Sequence, residues 1–404
     1  MQNIWILNHY ANTSGGRHYK FAESLIKYGF NVKVFRASTV HNTGKNTIIG
    51  PQKHLCEVYN GIPFILIKAR NYVGNGKERV KNMVDYARGL LSVSKKFDDE
   101  KPDVIYASSV HPLTWLSGYK LAKRYNAKFI VETRDLWPET LIAMGAIKKT
   151  SISARLLYAL EKFIYKKADK LIFTFPGGKD YVQSIGLDCS KVININNGVD
   201  IEEFNINREK FEYNDADLDC RSTFKILYTG SMGQANELSY LIKAAEIIKR
   251  KNIKDIKFIL FGDGYQKKEL EEYTKKASLD NVVFKGKVGK EFIPSILSKS
   301  ALNMFTGKYI YLYKYGLSLN KMFDYFASGK PTLSNVECGY DLLKKYNCGL
   351  TVKGGSPDAL AEGILKFYHM PKKEYDTYCQ NALMAAEEFD YKVLVKKLIE
   401  VIEE

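Results

Sequence analysis

No part of this sequence approaches the run of about eighteen apolar residues that a membrane-spanning helix needs. Cysteine is sparse and scattered: Cys56, Cys189, Cys220, Cys338, Cys348 and Cys379 form no C-x-x-C pair. That spacing argues against a disulfide framework or a zinc site, and for reduced thiols in a cytoplasm. The opening MQNIWILNHY has neither a basic leader nor a cleavage site and starts as a buried strand, so no secretory signal is expected. Low-complexity tracts and short solenoid repeats are absent. A dinucleotide fingerprint is missing as well, because no G-x-G-x-x-G follows the first strand and no acidic residue ends the second, KVFRAST.

Acidic residues are scarce in one half only. Residues 1–200 hold 16 Asp and Glu against 30 Lys and Arg, whereas residues 201–404 hold 29 against 31. Nearly all of the net +16 therefore lies in the first half. A basic half suggests an anionic partner: nucleic acid, an anionic membrane surface or a phosphate-bearing substrate. A lysine-rich surface that serves only solubility is the plainer explanation.

What is present is a repeated alternation. Short β-rich runs at 3–7, 31–35, 64–67, 103–107, 128–132 and 170–173 are separated by helical patterns such as 19–28, 79–97, 113–125 and 153–167. A charged, aliphatic-poor stretch at 201–223 interrupts the pattern and reads as a linker. Strands then resume at 225–228, 257–261, 282–285, 302–305 and 332–334, with helices between them and an all-helical tail from about residue 357. The expected fold class is α/β, with two Rossmann-like, doubly wound parallel sheets in tandem. The expected domains are 1–200, 224–385 and a C-terminal helix at 386–404 that packs back on the first domain.

In such sheets ligands bind beyond the carboxyl ends of strands. Gly15-Gly16 precede a helix there, so free N–H groups and the positive helix end can receive an anion, although a turn alone also explains them. Arg134 and Asp135, in VETRDLWPE, directly follow a strand: Arg134 suits a phosphate or carboxylate, and Asp135 suits a hydroxyl proton. A structural Arg–Asp pair is the alternative. YTGSMG (228–233) and FGDGYQKKEL (261–270) place Gly230, Gly233, Gly262 and Gly264 at two adjacent strand-to-helix turns. In SLNKMFDYFASGKP (318–331), Ser318 or Asn320 can cap a helix whose first turn contains Lys321. A lysine there opposes the helix dipole unless an anion is bound, and Asp324 one turn on suits a ribose diol. The Gly329-Lys330-Pro331 that ends this segment follows the helix and is no phosphate loop.

Together with YVGNGKERVKN (72–82) and NNGVD (196–200), these motifs resemble the retaining nucleotide-sugar glycosyltransferases of family 4, which have the two-Rossmann GT-B fold. The nearest resemblance is to the branch of bacterial O-antigen and capsule enzymes typified by fucosamine (FucNAc) transferases. It implies an N-terminal acceptor domain, a C-terminal nucleotide-sugar domain, transfer in the cleft between them, and no metal or bound cofactor. It assigns Asn320 and Lys321 to the diphosphate, Asp324 to the ribose, and Gly15-Gly16 to the donor phosphate or sugar. Arg134, Asp135 and Lys321 are the candidate catalytic residues, and Tyr72, Lys77 and Arg79 the candidate acceptor contacts. This chain departs from the family in three places. Arg134-Asp135 stands where His-Asp is common, Gly316 stands where the first of two glutamates is common, and Ser231 and Asn236 replace an Arg and a Lys. Lys268 or Lys308 could supply the charge lost there.

The implied partners are a nucleotide sugar (UDP-linked), a polyprenyl-diphosphate-linked saccharide and the anionic inner face of the plasma membrane, with no nucleic acid. Residues 151–167 are a candidate interfacial helix, or else a core helix with a solvated basic face. A sugar-nucleotide epimerase on the same fold and a non-enzymatic binder of nucleic acid or membrane are the competing classes.

Overall fold

The computed structural model describes residues 1–404 and divides into two compact units, Met1–Asn196 with Leu394–Glu404, and Asn197–Val393. The first is built on β1 (Asn3–Leu7), β2 (Asn31–Ala37), β3 (His54–Tyr59), β4 (Ile62–Ile67), β5 (Val104–Ser108), β6 (Lys128–Thr133), β7 (Lys170–Phe173) and β8 (Val192–Asn194). Its helices are α1 (Arg17–Lys27), α2 (Lys77–Val93), α3 (Pro112–Tyr125), α4 (Glu139–Ala143), α5 (Ile152–Lys167) and α6 (Gly178–Ser184). The sheet order is β3-β4-β2-β1-β5-β6-β7-β8. Strand β5 is buried along its whole length and β6 everywhere but Lys128, as helices on both faces require.

This sheet is not wholly parallel. Strand β3 runs antiparallel to β4, joined through Asn60 and Gly61, which both have positive φ (49° and 81°). An Asn-Gly pair favours a tight hairpin turn. Edge strand β3 buries none of its residues, so its sequence carries no apolar run to announce it.

The second unit contains β9 (Phe224–Thr229), β10 (Ile256–Phe261), β11 (Val282–Gly286), β12 (Leu302–Phe305), β13 (Thr332–Ser334) and β14 (Gly349–Thr351), all parallel in the order β11-β10-β9-β12-β13-β14. Its helices run from α7 (Ile201–Lys210), α8 (Ala216–Asp219), α9 (Ser239–Arg250), α10 (Lys267–Lys276) and α11 (Ile293–Ser298) to α12 (Asn320–Ala327), α13 (Leu342–Lys345), α14 (Pro357–Tyr368) and α15 (Lys372–Glu388). The last helix, α16 (Tyr391–Glu403), begins in this unit, and from Leu394 onward it belongs to the first. There Lys128 Nζ donates to the carbonyls of Val401 (2.7 Å) and Ile402 (3.0 Å), while Leu398 and Val401 are buried.

The expected linker is a correction. Residues 201–223 form α7 and α8, capped by Asp200 and Asp215, and each helix buries one side chain, Phe204 and Leu218. The charges that made this stretch look unstructured are partly paired: Lys285 meets Asp215 at 2.7 Å and Asp217 at 2.5 Å. A helix that buries a single residue shows no apolar period. The units divide at Asn196 and Asn197, earlier than expected.

Strand order reverses between β1 and β5 in the first sheet and between β9 and β12 in the second. The loops past those four carboxyl ends are the crevices of doubly wound sheets.

Candidate active site

In the second unit the crevice is built around α12. Met322, Phe323, Tyr325, Phe326 and Ala327 are buried in one cluster with Leu297, Phe305 and Phe389. Each such large side chain contributes about 1.5–3 kcal/mol of burial, so this helix is fixed by its apolar face. Its polar end is then left to function. Leu319 occupies the cap position and no side chain caps the first turn. The expected capping by Ser318 or Asn320 does not occur. Ser318 Oγ instead accepts from the Asn197 N–H (2.9 Å), and the Ser318 carbonyl accepts from Asn197 Nδ2 (2.7 Å). The N–H groups of the first turn therefore keep their capacity for an anion.

Lys321 turns back from this end toward β9. Its Nζ lies 3.0 Å from the Tyr228 hydroxyl, 2.9 Å from Asn236 Oδ1 and 4.3 Å from the centre of the Tyr228 ring. No carboxylate faces it within salt-bridge range, and burial pushes its amine down to about 7. Gly230 makes this possible, because a Cβ there would stand 2.8 Å from Lys321 Nζ. Asp324, one turn along, is half-buried; burial pushes its carboxyl up to about 7, against the pull of Lys290.

The other expected contacts divide. A Cβ on Gly262 would fall 1.7 Å from the Gly230 carbonyl oxygen, and one on Gly264 would fall 2.4 Å from that of Met232. These two glycines let adjacent turns stack, so their first duty is packing. A Cβ on Gly233 would meet the Tyr265 ring at 3.4 Å. Lys268 does not join the site: it is 87% exposed on the outside of α10, beside Glu272. Lys308 lines a separate open cavity of about 660 Å³ with Lys314, Tyr309 and Glu337. The missing glutamate at 316 has a backbone reason. Gly316 sits at φ 97°, ψ 178°, a conformation that residues with a Cβ avoid.

In the first unit, Gly15 (φ 143°) and Gly16 (φ 82°) lead into α1 with open space where a Cβ would stand, and no side chain caps the helix. The first turn of α1 is anchored from below. Glu132, fully buried at the end of β6, accepts from Arg17 Nε (2.6 Å), His18 Nε2 (2.9 Å), Ser108 Oγ (2.6 Å) and the Tyr106 hydroxyl. Burial alone would raise this carboxyl, but Arg17 and His18 outweigh it and hold it well below the usual range. Arg17 also donates to the carbonyls of Ile195 (2.9 Å) and Asn196, where the chain first leaves this unit.

Beside this anchor Arg134, Asp135, Arg79 and Tyr72 come within electrostatic reach of one another. Desolvation raises the Asp135 carboxyl against the pull of Arg134 and Arg79, although the residue as a whole is exposed. No salt bridge joins Arg134 to Asp135; the Arg134 N–H instead donates to Ser109 Oγ (3.1 Å). The Tyr72 hydroxyl lies 2.5 Å from both the Tyr10 hydroxyl and His41 Nδ1. Lys77 stands exposed at the start of α2. Sequence reasoning missed Arg17, His18, Glu132, His9, Asn82 and His111. His9 and His111 lie two and three residues past the ends of β1 and β5, the two strands that flank the reversal, and that position was the available signal.

Two family models match consecutive parts of the chain: "Glycosyltransferase Family 4" over residues 19–203 and "Glycosyl transferases group 1" over residues 218–383. The chain is a GT-B glycosyltransferase. Among curated proteins it is 25% identical over 194 residues to "Probable glycosyltransferase WbjE" of Pseudomonas aeruginosa, a match that spans 48% of this chain and 46% of that protein. Sucrose-phosphate synthase from Thermosynechococcus elongatus superposes with a TM-score of 0.75 at 16% identity, covering 100% of this chain and 98% of the other. Anabaena Alr3699/HepE, solved with UDP and glucose, gives a TM-score of 0.70 at 14% identity, covering 100% of both chains. These structural likenesses establish the fold of this glycosyltransferase.

Proposed function

We propose that this glycosyltransferase moves a sugar, with retention of configuration, from a UDP-sugar to a lipid-linked saccharide. The observation that carries the donor half is Lys321, an amine without a carboxylate partner beside the uncapped end of α12, with Asp324 one turn on. In this reading a diphosphate supplies the missing counter-charge and Asp324 accepts from the ribose hydroxyls. Lys321 and the helix N–H groups stabilise the leaving diphosphate, so the transfer requires no metal. The HepE structures with UDP and with UDP-glucose support UDP as the carrier.

The acceptor half rests on α5. One face of this helix exposes Ile152 (77%), Leu156 (67%) and Phe163 (40%) at helical spacing, flanked by exposed Arg155, Lys162 and Lys166. The opposite face buries Ala154, Glu161, Ile164 and Tyr165. An apolar stripe between basic residues suits an anionic bilayer surface, where a polyprenyl-diphosphate-linked saccharide of O-antigen or capsule synthesis resides. No helix is long and apolar enough to cross a membrane, so in this reading the enzyme works from the cytoplasmic surface. The FucNAc-transferase-like branch is the proposed setting.

The test is a panel of radiolabelled UDP-sugars incubated with the enzyme and a bacterial lipid extract. Transfer of label to lipid is the expected result. Conversion of the free UDP-sugar without acceptor would instead indicate an epimerase, and absence of nucleoside-diphosphate binding by calorimetry would refute the donor assignment.

A further inference from the structure

Four buried polar atoms of the first unit have no partner, Nε of Arg79, Nδ1 of His111, Oγ1 of Thr114 and Nε1 of Trp137, and of these only His111 Nδ1 can be a pure acceptor. His111 is 1% exposed and lies three residues past the end of β5. Its proton can be placed from its neighbours. Asn82 Nδ2 lies 2.6 Å from the Arg70 carbonyl, which can only accept, so the amide nitrogen points there and Oδ1 faces His9. Across 2.7 Å, His9 Nε2 must therefore donate to Asn82 Oδ1. Burial keeps His9 neutral, so its Nδ1 is bare and accepts from His111 Nε2 at 2.8 Å. His111 is neutral too, pushed down to about 3 by burial and then by Arg79. The remaining nitrogen, His111 Nδ1, is a buried acceptor without a donor.

The backbone does not satisfy it. His111 holds the cap position of α3, yet its side chain takes no N–H of that helix. A buried acceptor left empty costs about 1–3 kcal/mol, which a bound hydroxyl would recover. Arg79 is the one charge that acts on His111, and its unpartnered Nε supplies the complementary donor.

We propose that His111 Nδ1 accepts a hydrogen bond from a hydroxyl of the saccharide that receives the sugar, and that Arg79 donates to an oxygen of the same saccharide. The assignment rests on the transfer reading above. It makes His111 a substrate contact whose tautomer is set by the chain Arg70–Asn82–His9.

His111→Gln separates this role from a structural one, because the glutamine amide keeps an N–H for His9 and offers no acceptor at the Nδ1 position. With the UDP-sugar and lipid extract that the wild type turns over, kcat/KM for acceptor should fall about 10–100-fold. UDP affinity and the thermal midpoint should stay at wild-type values. Imidazole ¹⁵N spectra of the free full-length protein should show His111 with a bare Nδ1. A folded His111→Gln with wild-type kcat/KM, or a protonated Nδ1, overturns the assignment. The tautomer measurement needs no substrate: a bare Nδ1 beside a wild type that transfers nothing fails the transfer reading itself, and the assignment with it.

Discussion

The two crevices lie at equivalent places in their sheets and are furnished oppositely. Past β9 and β12 the polar groups are N–H groups, a lysine and one carboxylate, held by glycine turns that stack backbone on backbone. Past β1 and β5 they are neutral imidazoles and tyrosine hydroxyls, beside a buried Glu132 that is already fully bonded. One crevice suits an anion and the other suits hydroxyls. The difference also shows what net charge does not reveal. The excess of +14 lies in residues 1–200, yet the amine best placed for a phosphate is Lys321, in the balanced half. Much of the basic excess is spread over surfaces such as α5.

The comparison can be broken most severely at Glu132. Glu132→Ala leaves Arg17 and His18 buried without their carboxylate, and about 3–5 kcal/mol of stability should be lost in urea denaturation of the first unit. Tight UDP binding by the second unit should survive at urea concentrations that unfold the first. Loss of both together would show that the crevices are not independently supported.

Glu161 sharpens the same contrast by pH. Buried on the inner face of α5, with the Tyr181 hydroxyl 2.8 and 2.9 Å from its oxygens, its carboxyl is raised to about 8. A raised folded value means that this group's stabilisation is complete below about 4.5, its ordinary value, and lost as pH rises through about 8. Glu161→Gln should therefore melt higher than wild type above pH 8, by at most roughly 5 kcal/mol of stability, and the two should converge toward pH 5. Equal melting at pH 9 would contradict the burial argument.

Gly230→Ala tests the lysine crevice from below. At φ 149° and 2.8 Å from Lys321 Nζ, the added methyl should cost about 1–2 kcal/mol of stability and roughly ten-fold in UDP affinity, read by denaturation and calorimetry. The smallest effect belongs to the membrane face. Leu156→Glu with Phe163→Glu should weaken co-sedimentation with vesicles containing phosphatidylglycerol by roughly ten-fold. Soluble UDP binding should not change.

The sheets were legible because buried parallel strands are continuous apolar runs, and Lys321 because a lysine at a helix start conflicts with the dipole. Strand β3, α7 and α8 were not, since elements that bury one residue or none leave no period to read. Glu132 was hidden for another reason. Its meaning depends on Arg17, 115 residues away, and on Tyr106 and Ser108 of the neighbouring strand, partners that only the fold brings together. The absence of a glutamate at 316 was visible in the sequence, but its cause, a left-handed backbone, was not.

The central claim is that Lys321 and Asp324 hold the diphosphate and ribose, and UDP affinity against pH tests it most directly. A bound diphosphate favours the ammonium of Lys321, so affinity should fall above about pH 7; ribose hydroxyls favour the Asp324 carboxylate, so it should also fall below about pH 7. Lys321→Ala should abolish the alkaline limb and Asp324→Asn the acid one, each measured by calorimetry against wild type at the same pH, which cancels the titration of UDP itself. The account predicts a maximum near neutrality that loses one limb with each variant. An affinity profile identical in wild type and both variants would contradict it.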